Sequence, residues 1–214
     1  MARSSSTTLR IGALTVAWAD VLQSDDSALS PENLGASDQR RFVQLDIRRR
    51  RQFLTGRALV TDMVAERFGA GSVDTGSCPA CGGDHGPPVV RNADVRASVS
   101  YAGHLVVVAM GGVARLGIDV ESELRDVPRD RERAEDMGGL LGVRASGAIR
   151  RWTQIEAVLK ADGRGLRVDP ARVRIVGSSA RVADDPTARY RLRPIAGPPG
   201  FCISVAWSTG LPRR

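Results

Sequence analysis

Apolar positions along the chain recur with two periods, and each period predicts an element type. Leu9–Ala19 and Leu105–Met110 are short apolar runs of strand length. Leu116–Glu121 alternates strictly, sending Leu116, Ile118 and Val120 to one face of a strand and Asp119 and Glu121 to the other. Val173–Val176, Ala188–Leu192 and Phe201–Trp207 predict three more strands. Helical spacing governs much of the rest. Ser37 is read as the N-cap of a helix running through Phe42 and Leu45. A longer helix is expected over Asp46–Phe68, with Leu54, Ala58, Thr61, Ala65 and Phe68 as its apolar row and Gly69 as its C-cap. A short helix is expected near Arg131–Met137, and another over Arg151–Leu166. In the last, Trp152, Glu156 and Lys160 fall at i, i+4, i+8 and stack along one side. Ile155, Val158 and Leu159 lie off that row and can bury, and Gly163 and Gly165 stop the helix. Residues 1–8 are expected to be disordered, and Asp20–Leu34 to form a polar loop with a start signal at Ser30-Pro31.

Composition narrows the class. A chain of 214 residues, 42% hydrophobic, can form one large domain or two small halves, each with its own core. No apolar run approaches the ~20 residues of a membrane helix. Arg3, Arg10 and the run Ile11–Trp18 imitate a signal peptide, but the run is broken by Gly12 and Thr15 and reads as a first strand. With three cysteines, an odd count, no disulfide framework is expected, and the chain reads as cytoplasmic. The formal charge of +7 and pI of about 10.5 imply anionic partners. Aromatic residues make up only 4%, which leaves little for base stacking.

Candidate chemistry gathers at two stretches. Asp119, Glu121 and Glu156 make three carboxylates and no histidine, a hard-oxygen set suited to Mg²⁺. The bland alternative for Glu156 and Lys160 is a surface i, i+4 pair worth only ~0.3–0.5 kcal/mol. Against it, Lys160 is the one lysine among 31 basic residues, and a retained ammonium suggests a site that wants a compact point charge. Cys78-Pro79-Ala80-Cys81 followed by His85 tempts one toward zinc. Only three ligands lie in reach, so a loop of reduced thiols is expected there instead.

GIDVE (117–121) followed by WTQIEAVLKADGRGL (152–166) resembles the paired signature of the surfactin-type 4′-phosphopantetheinyl transferases. That signature runs roughly (V/I)-G-(I/V)-D, then W-x-x-K-E-A-x-x-K with a Gly-x-Gly-Leu tail. The resemblance implies an α+β fold of two similar α/β halves related by a pseudo-twofold, 1–112 and 113–214, with the active site in the cleft between them. The N-terminal half would bind coenzyme A phosphates and the C-terminal half would carry the metal and catalytic helix. The implied reaction moves the phosphopantetheine arm of coenzyme A onto a serine of an acyl or peptidyl carrier protein. Asp119, Glu121 and Glu156 would hold Mg²⁺, Lys160 would neutralise phosphate charge, and Glu156 would be the general base. Arg48, Arg51, Arg57, Ser100 and Tyr101 would contact coenzyme A; Met137, Leu140 and Leu141 would meet the carrier. A monomer with neither nucleic-acid nor membrane partners is expected.

Three positions depart from the family pattern, and all remove positive charge. Ile155 stands for a lysine, Tyr101 for a histidine, and Pro87 for the lysine of a Gly-Lys-Pro that ends a similar Cys-x-x-Cys loop in actinobacterial members. Each lost charge-assisted contact would cost roughly 1.5–3 kcal/mol unless replaced. The alternatives are therefore an inactive or coenzyme A-weak homologue, or a basic nucleic-acid-binding module built on Arg48–Arg51.

Overall fold

The computed structural model describes residues 6–23, 30–69, 71–78, 81–123 and 127–208. The fold is α+β, with two antiparallel sheets and four α-helices among those residues. By internal packing the chain divides into two compact units, Met1–Val113 and Ala114–Arg214.

In the first unit the sheet order is β1 (Ser6–Ile11), β2 (Leu14–Asp20), β6 (Leu105–Gly111), β5 (Arg96–Ala102), β4 (Pro88–Val90), β3 (Val73–Thr75). The single strand expected over Leu9–Ala19 is thus a hairpin, because Gly12 turns the chain with a φ of +57° that favours glycine. Ser6–Thr8, expected to be disordered, belong to its first arm; residues 1–5 lie outside the described residues. Of the expected polar loop over Asp20–Leu34, residues 24–29 also lie outside them, while Ser30 caps a 3-10 turn at Pro31–Asn33.

Helix α1 spans Ala36–Val43 and is capped by Gly35 rather than Ser37, so Leu45 falls beyond its end. Helix α2 spans Ile47–Phe68, with the Asp46 carboxylate accepting from the Arg49 N–H and Gly69 closing the other end. Its buried face is not the expected one. Leu59, Val60, Met63 and Val64 pack on the sheet and Phe53 is buried, whereas Thr61 and Ala65 are exposed and Phe68 is 41% exposed. The apolar row was obscured because Thr55, Gly56 and Arg57 also lie on the buried face.

In the second unit the sheet order is β7 (Arg115–Ser122), β11 (Phe201–Ser208), β10 (Asp185–Ile195), β9 (Ser179–Val182), β8 (Val173–Val176). Helix α3 spans Pro128–Leu141, longer than expected at both ends, and α4 spans Ala145–Asp162. Helix α4 begins six residues earlier than the sequence suggested and ends earlier too, where Gly163 takes a left-handed C-cap; Leu166 belongs to a separate 3-10 turn. Ile155, Ala157, Val158, Leu159 and Ala161 of α4 join Val182, Tyr190, Leu192 and Ala206 in one core. No helix among the described residues is long and apolar enough to cross a membrane.

Candidate functional site

The second unit builds its site where α4 crosses β7. Along β7, Gly117, Asp119 and Glu121 share the face opposite Leu116, Ile118 and Val120. A side chain at Gly117 would collide with the Ala157 carbonyl, with the Ala161 amide nitrogen at 2.5 Å and with Cβ of Lys160 at 2.8 Å. Absence of a side chain therefore lets the helix backbone lie directly on the strand. That contact fixes what comes next on both elements. Two residues along the strand is Asp119, and the Lys160 Nζ donates to its Oδ1 at 2.7 Å. One turn back along the helix is Glu156, half-buried beside the same carboxylates.

Electrostatics sharpen the description. Burial raises the Glu156 pKa above the ordinary carboxylate range, the Asp119 and Glu121 charges raise it further, and Lys160 opposes them. Glu121 is likewise raised, first by burial and also by Asp119, while Arg133 of α3, which forms an ion pair with it, pulls the other way. The cluster thus holds three mutually repelling carboxylates on a half-dry surface, tempered by two cations. Beneath it, Thr153 of α4 and Ser204 of β11 share a buried hydrogen bond at 3.0 Å, tying the helix to the strand beside β7.

Whether this donor set suits a divalent cation turns on that repulsion. All three groups are hard oxygen donors, and an ion of charge +2 among them would offset the mutual repulsion that adds to burial in raising Glu121 and Glu156. The Lys160 and Arg133 contacts compete for the same oxygens, since Asp119 and Glu121 are already paired. Among the described residues, the group of three ligand atoms that do lie within 4.8 Å of one another is a different one: Cys78, Cys81 and His85.

The first-unit residues do not behave alike. Arg48 is exposed at the start of α2, and Arg51 is half-buried one turn on. Arg57 is only 5% exposed. Its Nε donates to Asp38 Oδ2 at 2.7 Å, its Nη2 donates to Thr75 Oγ1 at 2.7 Å, and its guanidinium lies 4.6 Å from the Phe53 ring centroid. Thr75 donates in turn to Asp38, and Asp74 accepts from the Asp38 and Thr75 amides. This closed network joins α1, α2 and β3, and it occupies the arginine fork that a ligand phosphate would need.

Ser100 and Tyr101 are consecutive on β5 and so point to opposite faces of the sheet. Ser100 is buried. The Tyr101 hydroxyl reaches α2 at Gly56, where an added Cβ would sit 2.8 Å from it. Burial raises the phenol pKa, against the pull of Arg57 and Arg41. Of the three charge-removing departures, Ile155 is 2% exposed and packs in the core, Tyr101 packs on α2, and Pro87 is exposed. Of the expected carrier contacts, Leu140 is 69% exposed, but Leu141 packs against the core and Met137 is half-buried.

Sequence reasoning missed Arg133, the Asp38–Arg57–Thr75 network and the Thr153–Ser204 pair. Arg133 sits in the run RDRERAED, where no spacing distinguishes one charge from the next. Asp38 lay 19 residues from Arg57 with no motif between them. No protein-family model matches the sequence, and no curated protein matches it.

Proposed function

We propose that the protein is a Mg²⁺-dependent 4′-phosphopantetheinyl transferase acting on an acyl or peptidyl carrier protein. The observation that carries this reading is the Lys160–Asp119 contact at 2.7 Å, held beside Glu121 and Glu156 by the close packing of α4 on Gly117. It places the one lysine of the chain on the motif aspartate, where an ordinary amphipathic helix would leave it in solvent. In keeping with a duplicated fold, each unit pairs an antiparallel sheet with one long helix, α2 in one and α4 in the other.

Asp119, Glu121 and Glu156 would hold the metal, which when bound supplies positive charge to a pyrophosphate that is otherwise too anionic to attack. The carrier's serine oxygen forms a bond to the phosphorus that bears the pantetheine arm. The phosphoanhydride bond breaks, and adenosine 3′,5′-bisphosphate leaves. Glu156 takes the serine proton: its pKa, raised by burial and by the neighbouring carboxylates, makes it a stronger base than an exposed glutamate. Lys160 stabilises charge on the departing phosphate. Arg48 and Arg51 are the phosphate contacts we assign from the first unit. Arg57 is withdrawn from that role because Asp38 and Thr75 hold it.

Intact-mass spectrometry of an apo carrier protein incubated with this protein, coenzyme A and Mg²⁺ tests the reading. A gain of one phosphopantetheine, abolished by EDTA and by Glu156→Gln, supports it. No gain with fatty-acid, polyketide and peptide carriers, from protein shown to be folded, refutes it.

A further inference from the structure

We propose that Cys78, Cys81 and His85 form a zinc site with water as the fourth ligand, clamping the connection between β3 and β4. The three side chains come from one loop, and their ligand atoms converge within 4.8 Å of one another. Cys81 Sγ and His85 Nε2 are 3.0 Å apart. Zinc–sulfur and zinc–nitrogen bonds of about 2.3 and 2.0–2.1 Å set tetrahedral edges of roughly 3.5–3.8 Å, so binding needs a local opening of only about half an ångström.

Backbone geometry makes the convergence a property of the loop. Gly76 N–H donates to Pro87 O at 2.9 Å and Gly86 N–H donates to Gly76 O at 2.9 Å, closing the base of the loop. Above it, Cys78 N–H donates to Gly83 O and Gly82 N–H to Cys78 O, both at 2.8 Å. Gly82 has a φ of +74°, a left-handed conformation that turns the chain directly after Cys81 and returns His85 toward the Cys81 sulfur. A Cβ at Gly86 would strike the Gly76 and Ser77 carbonyls at 2.5 Å, so glycine is required where the loop closes behind His85.

Chemistry selects the ion. Two thiols and an imidazole are a soft, borderline set that favours zinc over magnesium, and each thiol gives up its proton as its zinc–sulfur bond forms. Two thiolates balance the charge of the ion. Cys81 and His85 are exposed, which leaves one coordination position facing solvent. Asp84 is not the fourth ligand, since Arg40 Nε donates to its Oδ2 at 2.6 Å. That pair gives the clamp a consequence: fixing the loop fixes Asp84, and Asp84 ties the loop to α1 through Arg40, which also donates to Ser37 at 2.9 Å.

The full-length protein, purified under reducing conditions with zinc supplied, should retain about one zinc per chain by elemental analysis. Cobalt substituted for it should give intense visible bands of tetrahedral geometry with thiolate charge-transfer absorption. Cys78→Ser, Cys81→Ser and His85→Asn should each lower the bound zinc several-fold while far-ultraviolet circular dichroism is retained. Glu156→Gln should leave it unchanged, separating this site from the carboxylate cluster. In the wild-type protein, a chelator should speed proteolytic cleavage within residues 76–88. A folded wild-type protein that takes up no zinc and gives only the pale spectrum of octahedral cobalt overturns the proposal. So does zinc that survives all three substitutions.

Discussion

Gly117 lies directly beneath Lys160: a methyl group on the glycine would sit 2.8 Å from the lysine Cβ and closer still to the Ala157 carbonyl. The glycine of the acidic strand thereby sets how near the helix may come, and so whether the lysine ammonium reaches Asp119. Gly117→Ala should push α4 off β7, because the colliding atoms are helix backbone and cannot rotate away. Overpacking of this kind costs about 1–3 kcal/mol, and the upper end is expected here. Urea denaturation should show that loss, and phosphopantetheine transfer should fall with it even where the variant stays folded.

Lys160→Met keeps the length of the side chain and removes its charge. Asp119 would then be buried without its 2.7 Å donor, at a cost of about 1–3 kcal/mol. Transfer should drop by at least about 100-fold if the ammonium also stabilises the leaving phosphate. Lys160→Arg tests the demand for a compact charge: stability should recover more than activity. Thermal denaturation and single-turnover assays read the two effects separately.

Arg133→Ala should release Glu121 from its ion pair. With one competing cation gone, the cluster should bind divalent metal more tightly, by a few-fold given that half-exposed ion pairs are worth roughly 1 kcal/mol or less. Titration with Mn²⁺ followed by electron paramagnetic resonance measures the change. An unaltered affinity would remove Glu121 from the ligand set.

Arg57→Ala should act on the fold. It leaves the fully buried Asp38 carboxylate without its ion-pair partner, a change that typically costs 3–5 kcal/mol. Arg48→Ala, at an exposed position, should instead weaken coenzyme A binding with little change in melting temperature. Calorimetry of both variants, with and without coenzyme A, distinguishes the roles.

Both tyrosines should titrate late. Tyr190 is 1% exposed; burial, with the neighbouring Asp162 carboxylate, pushes its phenol up to about 12, and burial raises Tyr101 as well. In the unfolded chain both ionise near pH 10. The unfolded state therefore binds fewer protons between pH 10 and 12, so the stabilising effect is complete below pH 10 and declines as pH rises through the folded values. Ultraviolet difference absorbance should show Tyr190 largely un-ionised below pH 11 in the native protein, Tyr101 also titrating later than in the unfolded chain, and a normal titration of both in denaturant.

Much of this was legible along the chain because it depends on local spacing. Period two put Asp119 and Glu121 on one face of β7, and period 3.6 put Trp152, Glu156 and Lys160 in one row of α4 with Ile155, Val158 and Leu159 buried beside it. Asp46 and Gly69 bounded α2 because caps are satisfied by neighbouring residues. The same period-two rule also separates Ser100 from Tyr101, which the family resemblance had grouped.

Other features were decided by tertiary structure, since they join residues far apart in sequence. Arg57 looked like one more arginine of a basic helix, and only the approach of Asp38 and Thr75 from other elements makes it a buried structural charge. Its presence on the inner face of α2, with Thr55 and Gly56, concealed which side of that helix packs. Arg133 became part of the carboxylate cluster only when α3 brought it to Glu121. The Cys-x-x-Cys spacing could not say whether His85 turns back toward the sulfurs; Gly82 and the hydrogen bonds across the loop base settle that. Spacing along one element is written in the sequence because backbone geometry is the same in every protein. Partnership between elements depends on how closely their backbones approach, and here Gly117 sets that distance for the site.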